Sequence, residues 1–400
     1  MSASVSLRQR LAAIYEVGNL ERRNLPMEGV RGFAVLLVFF VHYHSMFDPW
    51  AHAERFTRAF SSFTGTIGHS GVDLFFVLSG YLIYGLIFKK PGRYMKFIER
   101  RIQRIYPTFL VVLALYLLLS ILFPGQSRIP SDTLAAASYI LANILLLPGL
   151  LNIQPIITVA WSLSYEFFYY LTIPSMVALL GMRRWPGIHR VLLFLVLTLC
   201  YSVYCLTVSD THVRLIMFVS GILLFEAKYS YNLDKRLTPR ADYWVLALLA
   251  ATFAFMYILT ARPEIMPFLP QDKKIGGAYP TLLLFVSFFV FALACFDSQS
   301  LLSKIFSWTP LRWLGNMSYS YYLIHGLTLK GIALIALPLV VAPTGISVVL
   351  YWLALPVFFF LTLFVSTLLF VLVEKRFSIQ PGPVGEAHSI QGLHTATNPD

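Results

Sequence analysis

Eleven long apolar segments run through the 400-residue chain, and they constrain its fold more than any other feature. They lie at about 30–47, 67–88, 106–123, 134–150, 161–180, 190–207, 212–227, 242–260, 278–296, 318–341 and 347–373. Several contain about 18 or more apolar residues, which is the length that a helix needs to cross a bilayer. Hydrophobic residues make up 58% of the chain and charged residues 12%, outside the range of soluble domains. We therefore expect an all-α integral membrane protein whose excess apolar surface faces lipid.

The distribution of Lys and Arg between the loops predicts the topology. If the segment 134–150 does not cross the membrane, the loops on one side carry 22 Lys and Arg and the opposite loops carry 6. If that segment does cross, the bias nearly vanishes. We therefore predict about ten transmembrane helices, both termini in the cytoplasm, and 134–150 as a re-entrant or interfacial segment. Its Pro148-Gly149 end suits a broken helix.

Polar sequence flanks the apolar part of the chain. Residues 1–28 have no apolar core of a removable signal peptide, so we interpret them as a cytoplasmic N-terminal segment. The transmembrane domain covers 29–377, and the polar residues 378–400 are predicted to be a disordered cytoplasmic tail. Because most of the +12 net charge lies in short loops, no nucleic-acid partner is expected. The three cysteines lack metal-ligand spacing, and no metal is expected.

Two ionisable side chains share one face of the first predicted span. Arg31 and His42 are eleven residues apart, which corresponds to three helical turns and a rise of about 16 Å. Arg31 is then at the cytoplasmic mouth and His42 near mid-membrane. Since ionisable groups inside spans are costly and usually functional, we interpret Arg31 as an anion site and His42 as a proton-transfer group. The alternative is a snorkelling arginine and a packing histidine.

Two carboxylates are predicted at a depth close to that of His42. Asp73 is the only carboxylate of the second span, and Glu166 lies in the segment 161–180. Either could orient His42 or hold an acceptor, and exposure at the outer interface is the alternative. Further candidates for acceptor binding, with an aromatic belt or snorkelling as the alternative, are His69, Trp161, Tyr170 and Arg214.

Three arginines precede the third span. Arg100, Arg101 and Arg104 have a spacing that lets them point toward one cytoplasmic surface. Guanidinium groups bind phosphates well, so these residues are candidates for donor binding. The alternative is an ordinary contact with anionic lipid. In the penultimate span, His325 and Lys330 are predicted to point about 140° apart, so they should not act together, and their roles are left open.

Several segments together resemble acyltransferase family 3 across about 27–376. The matching pieces are Arg31-Gly32 with His42, SGVDLFFVLSGYLI at 70–83, RRIQRIYP at 100–107, WSLSYEFFYYL at 161–171, LRWLGNMSYSYYLIH at 311–325, and Glu374-Lys375. The resemblance implies a ten-span enzyme that moves acetyl or similar groups from a cytoplasmic donor to extracytoplasmic glycans or antibiotics. It also implies that Arg31 and His42 are essential, and that Arg101, Arg104 and Glu166 support them. Lys330 and Arg376 depart from the family pattern.

The expected function is therefore membrane O-acyl transfer from acyl-CoA, with acetyl-CoA as the expected donor, to a hydroxyl of an extracytoplasmic or exported glycan. The protein would lie in the cytoplasmic (plasma or inner) membrane, with acyl-CoA as co-substrate and no permanently bound cofactor. Its partners would be the bilayer and a glycan or lipid-linked oligosaccharide, and self-association is left open. The alternatives are O-acylation of a small molecule such as an antibiotic, a transporter or flippase of a lipid-linked sugar, and a sensor or scaffold. The absence of a Walker loop, a dinucleotide loop, HExxH and a nucleophile elbow disfavours ATP-driven and hydrolase functions.

Overall fold

The structure is a computed structural model that describes residues 6–18, 23–89, 94–208, 212–236, 240–266, 273–297, 299–336, 338 and 345–379. All regular secondary structure within these residues is helical. Nearly all of the predicted tail 378–400 lies outside them.

The helices differ widely in length. They are α1 Leu7–Tyr15, α2 Leu25–Ala51, α3 Arg55–Gly68, α4 Ser70–Lys89, α5 Tyr94–Leu122, α6 Thr133–Ile144, α7 Ala160–Leu179, α8 Gly187–Thr207, α9 Ile216–Tyr229, α10 Ala241–Ala261, α11 Lys273–Cys295, α12 Leu301–Phe306, α13 Thr309–Asn316, α14 Ser318–Ala336 and α15 Gly345–Leu369. A π-helix, Phe370–Ser378, continues α15.

Within the described residues, seven helical stretches are long and apolar enough to cross a membrane. They are Leu25–Ala51, Arg55–Lys89, Tyr94–Leu122, Gly187–Thr207, Ala241–Ala261, Ala278–Cys295 and Gly345–Ser378. The prediction of an all-α integral membrane protein is thus confirmed. The three other predicted spans correspond to α7, α9 and α14, which are shorter or carry many Ser and Tyr residues. The count of about ten spans stays a prediction.

The segment 134–150 is not a full span. Its helix, α6, has 12 residues and ends at Ile144. A helix of that length covers about 18 Å, well short of the roughly 30 Å of hydrocarbon in a bilayer. The chain then turns, with Leu146 in the left-handed region at a φ of 56°. The helix is therefore too short to cross, as the loop charges required.

Four helices were not predicted from the apolar pattern, and the first of them is the N-terminal helix α1. Helix α3 is amphipathic, and it buries small polar residues such as Thr57, Ser61 and Thr64. Helices α12 and α13 lie between the predicted spans 278–296 and 318–341, where Ser300 caps the first and Pro310 opens the second. Short polar helices of this kind carry no long apolar run, so hydropathy does not reveal them.

Glycines bring the central helices into backbone contact. A Cβ added at Gly32 of α2 would lie 2.0 Å from the Leu311 carbonyl oxygen, and one at Gly315 of α13 would lie 1.8 Å from the Glu28 oxygen. Helices α4 and α9 meet in the same way, because a Cβ at Gly221 would lie 1.9 Å from the Val77 oxygen. Small residues at helix contacts are typical of membrane bundles. This packing fixes α2, α4 and α13 around the cavity described next.

Candidate functional site

A cavity of about 150 Å³ lies between α2, α4, α5, α7 and α14. Its wall includes the guanidinium-bearing residues Arg31, Arg101 and Arg104 and the carboxylate-bearing residue Glu166. Three positive side chains thus face one negative side chain in a small, partly enclosed space. An arrangement of this kind suits an anion, because guanidinium groups form strong charge-assisted hydrogen bonds with phosphate and carboxylate oxygens.

Arg31 enters the cavity from the second turn of α2. The close approach of α2 and α13 brings it beside the start of α14, where its Nη2 donates a hydrogen bond to Ser318 Oγ at 2.8 Å. The other donors of the guanidinium keep their capacity for a ligand. The predicted anion site at Arg31 therefore lies on the wall of a real cavity.

Arg101 and Arg104 lie three residues apart on α5 and reach the same cavity. The Arg101 guanidinium lies 5.2 Å from the ring centre of Phe97 and 5.3 Å from that of Tyr170. Its Nε is buried and has no hydrogen-bond partner among the described residues. A buried donor without a partner is costly, so an anionic ligand at this point would be stabilised.

Arg104 forms an ion pair with Glu374 of the π-helix. Its Nη1 lies 2.7 Å from Glu374 Oε1, and the Glu374 side chain is fully buried. Glu374 Oε2 accepts hydrogen bonds from the Ser320 backbone N at 3.0 Å and from Ser320 Oγ at 2.6 Å. Apart from its membership in the Glu374-Lys375 pair, nothing in the sequence indicated this role.

Arg100 does not join this group. It is exposed and does not line the cavity. The expectation that all three arginines point toward one cytoplasmic surface stays a prediction, and of the three only Arg101 and Arg104 line the cavity.

Glu166 is oriented inside the cavity by two hydroxyl groups. Its Oε1 accepts hydrogen bonds from Tyr170 Oη at 2.5 Å and from Ser79 Oγ at 3.1 Å. No hydrogen bond or ion pair joins Glu166 to His42 among the described residues. Tyr170, a candidate for acceptor binding, belongs to the arginine cavity instead, because it lies one turn beyond Glu166 on α7.

His42 lies three turns beyond Arg31 on α2 and is not part of the cavity wall. Its ring packs against that of His325, with ring centres 4.8 Å apart and an angle of 58° between the planes. His325 is fully buried. Nothing in the sequence indicated that these two histidines meet, since they belong to helices that are distant in the chain.

One residue connects the histidine pair to the arginine cavity. Tyr322 lines the cavity, and its ring centre lies 6.0 Å from that of His325. Its Oη lies 2.7 Å from Ser162 Oγ. A group bound to the arginines would therefore have Tyr322 between it and the histidines.

Asp73 pairs with Arg214 instead of orienting His42. Both carboxylate oxygens of Asp73 accept hydrogen bonds from the Arg214 guanidinium, each at 2.8 Å. Arg214 also donates to the backbone carbonyl of His69, whose side chain is exposed. These contacts link the start of α4 to the segment that precedes α9. They give no support to Asp73 as a partner of His42.

Two further candidates lie outside the cavity. Trp161 stacks on His212 with ring centres 5.8 Å apart, and it contacts Phe76 edge-on at 6.2 Å. Lys330 is exposed on α14, without a described ionic partner. No group of three or more His, Cys, Asp or Glu residues in the described part of the chain could hold a metal ion.

The sequence pattern of the acyltransferase domain of acyltransferase family 3 matches residues 25–371. The chain belongs to this family. The match includes the arginine cavity and both histidines, but it ends before Glu374.

The curated relatives of this chain include O-acetyltransferases and an exopolysaccharide production protein, by their names. The chain is 29% identical over 335 residues to the peptidoglycan O-acetyltransferase OatA of Listeria monocytogenes. The aligned region covers 76% of this chain and 49% of the relative. The chain is 27% identical over 334 residues to the O-acetyltransferase OatA of Staphylococcus aureus, covering 76% and 50%. It is 26% identical over 272 residues to the exopolysaccharide production protein ExoZ of Rhizobium meliloti, covering 67% and 78%.

The chain thus spans about half the length of the OatA relatives that it matches. No solved structure matches it.

Proposed function

We propose that this acyltransferase-family protein transfers an acetyl group from acetyl-CoA to a hydroxyl group of a glycan at the membrane. The arginine cavity carries the proposal, because it offers three guanidinium groups to an anionic donor, and its wall residue Tyr322 lies beside His325, the ring partner of His42. Family membership and the names of the relatives support acyl transfer over other membrane functions.

The donor would be held by its phosphates. Arg31, Arg101 and Arg104 would hold phosphate oxygens of coenzyme A through charge-assisted hydrogen bonds. A cavity of about 150 Å³ is too small for the whole of coenzyme A. The nucleotide would therefore remain outside the cavity. The excess of Lys and Arg in the loops on the side of Arg101 and Arg104 favours entry from the cytoplasm.

The reaction would occur where the pantetheine arm reaches His42. An imidazole nitrogen of His42 would take the proton of the glycan hydroxyl while the hydroxyl oxygen attacks the thioester carbonyl carbon. The carbon–sulfur bond breaks and an ester forms. The thiolate that leaves then takes the proton from His42, so coenzyme A departs as a thiol and no further reactant is needed.

The acceptor would approach from the opposite end of the bundle. Trp161 and Arg214 are candidates there, since an aromatic ring and a guanidinium group suit a sugar that carries acidic groups. The names of the relatives point to peptidoglycan or an exopolysaccharide as the class of acceptor. The Asp73–Arg214 pair would fix the orientation of the guanidinium group.

Radiolabelled acetyl-CoA and the purified protein in detergent test the proposal. With membrane glycan as acceptor, we expect label to enter an alkali-labile ester on the glycan and free thiol to appear in equal amount. Release of thiol without labelled glycan would indicate hydrolysis. Movement of a lipid-linked sugar in proteoliposomes, without ester formation, would favour a transporter and contradict the proposal.

A further inference from the structure

His325 of α14 is enclosed by aromatic rings and by His42. Its side chain has no exposed surface. Its ring stacks on that of Tyr321, with centres 5.3 Å apart and planes 8° from parallel. On another side it meets the His42 ring at 4.8 Å. A buried imidazole needs hydrogen-bond partners for both of its ring nitrogens.

Only one of these nitrogens is satisfied. His325 Nδ1 lies 2.9 Å from the backbone carbonyl oxygen of Tyr321. Since a carbonyl oxygen can only accept, Nδ1 must carry the proton and donate it. In the neutral ring, Nε2 then carries a lone pair. This Nε2 is buried and has no hydrogen-bond partner among the described residues.

The lone pair of Nε2 lies close enough to the ring of His42 for a hydrogen bond between them. At a centre-to-centre distance of 4.8 Å, the facing nitrogens of two imidazoles can come within hydrogen-bond distance. Rotation of the His42 ring about its Cβ–Cγ bond would direct an N–H toward His325 Nε2. A catalytic base is commonly oriented by a third group in this way.

We propose that His325 is the positioning residue for His42. Once the His42 ring has turned, Nε2 of His325 accepts a hydrogen bond from an N–H of His42, which fixes the tautomer of His42 and leaves the second nitrogen of His42 free to take a proton. When His42 becomes protonated, the same hydrogen bond holds the imidazolium until the thiolate removes the proton. This assignment rests on the proposed acyl transfer with His42 as the base.

Two substitutions separate this role from packing. His325→Gln keeps a polar acceptor near the position of Nε2, whereas His325→Asn keeps a donor near the position of Nδ1 for the Tyr321 carbonyl but has no acceptor that reaches His42. We expect His325→Asn to lower kcat about 10- to 100-fold with little change in the KM for acetyl-CoA. His325→Gln should stay within about fivefold of the native kcat. Lys330→Gln, an exposed change on the same helix, is the matched control.

Equal losses in the Gln and Asn variants, or a loss that appears only in KM, would overturn the proposal. A second measurement needs no substrate. Diethyl pyrocarbonate labels an unprotonated imidazole nitrogen, and peptide mass spectrometry reports its rate at His42. Because a hydrogen bond at one nitrogen raises the basicity of the other, His325→Asn should slow this labelling about 3- to 10-fold while His325→Gln should not.

Unchanged or faster labelling of His42 in the Asn variant would contradict the proposed hydrogen bond between His325 and His42. The two measurements also test the proposed function and the role of His325 independently. Native protein without acetyl-CoA turnover would refute the proposed function, while the labelling rates would still decide whether His325 orients His42.

Discussion

Glu374 and Arg104 form an ion pair of 2.7 Å between the π-helix and α5. The carboxylate is fully buried, whereas about a quarter of the Arg104 side chain (26%) is exposed, at the cavity. A π-helical turn shifts the register of the side chains that follow it, and such turns often occur at functional sites. Here the π-helix places a counter-ion behind the guanidinium group, and Ser320 holds the other oxygen of that counter-ion.

We first predict that Glu374→Gln lowers the stability of the protein. The change removes the charge but keeps an oxygen for Ser320, so Arg104 loses its ionic partner. We expect a loss of about 1–3 kcal/mol, measured as a lower Tm in detergent. Donor affinity should fall by less than in Arg104→Ala, because the guanidinium remains but is no longer fixed. An unchanged Tm would show that the pair contributes nothing to the fold.

The arginines of α5 should differ in their effect on donor binding. Arg101 and Arg104 line the cavity and Arg100 does not. Each of the substitutions Arg101→Ala and Arg104→Ala should weaken acetyl-CoA binding roughly 10- to 150-fold, which corresponds to a charged hydrogen bond of about 1.5–3 kcal/mol. Arg100→Ala is the matched control, and we expect native affinity by calorimetry. Equal weakening in all three variants would mean that general surface charge, not the cavity, binds the donor.

The position of Glu166 predicts an effect on the donor and not on the reacting centre. Glu166→Gln keeps the acceptor for Tyr170 and Ser79 but removes a negative charge among the arginines. Because that charge would repel the phosphates, we expect the KM for acetyl-CoA to fall by up to about tenfold. The kcat at saturating donor should change little. A large loss of kcat with an unchanged KM would instead place Glu166 beside His42 during the reaction.

The glycine contact between α4 and α9 should be intolerant of side chains. Gly221→Ala would put a Cβ 1.9 Å from the Val77 oxygen, so the two helices must separate. Overpacking of this kind costs about 1–3 kcal/mol, which thermal unfolding in detergent will detect. Gly331→Ala is the control, since a Cβ there meets no atom within 4 Å. Similar Tm values for both variants would contradict the close contact.

The sequence predicted the features that lie on a single helix. The apolar segments predicted the spans, and the eleven-residue spacing predicted that Arg31 and His42 share α2. The loop charges correctly singled out 134–150, whose helix is too short to cross. These predictions depend on periodicity and length, which one sequence contains.

Contacts between helices could not be predicted in the same way. Equal depth in a membrane does not tell which neighbours two side chains face. Depth made Glu166 and Asp73 candidates either to orient His42 or to hold an acceptor, yet Glu166 contacts Tyr170 and Asp73 contacts Arg214. His325 is the residue that meets His42. The contact between His325 and His42 depends on how α14 packs against α2, and a single sequence holds no information about that packing.

The last prediction concerns Arg31 and His42, which lie three turns apart on α2. Arg31 lines the cavity and His42 does not, so their substitutions should have different effects. Arg31→Ala should weaken acetyl-CoA binding roughly 10- to 150-fold through the loss of a charged hydrogen bond. His42→Ala should leave donor binding nearly intact and reduce turnover about 100-fold or more, which is the usual contribution of general acid–base catalysis.

Calorimetry with acetyl-CoA and turnover at saturating acetyl-CoA measure these two effects independently. The Arg31→Lys variant is a useful control, because a lysine keeps the charge but cannot reproduce the planar set of donors, and intermediate affinity is expected. The opposite pattern would be decisive. If His42→Ala abolished donor binding while Arg31→Ala left it unchanged, the donor would approach from the His42 end of α2. The assignment of the arginine cavity to the donor phosphates would then be wrong, although the family membership would stand.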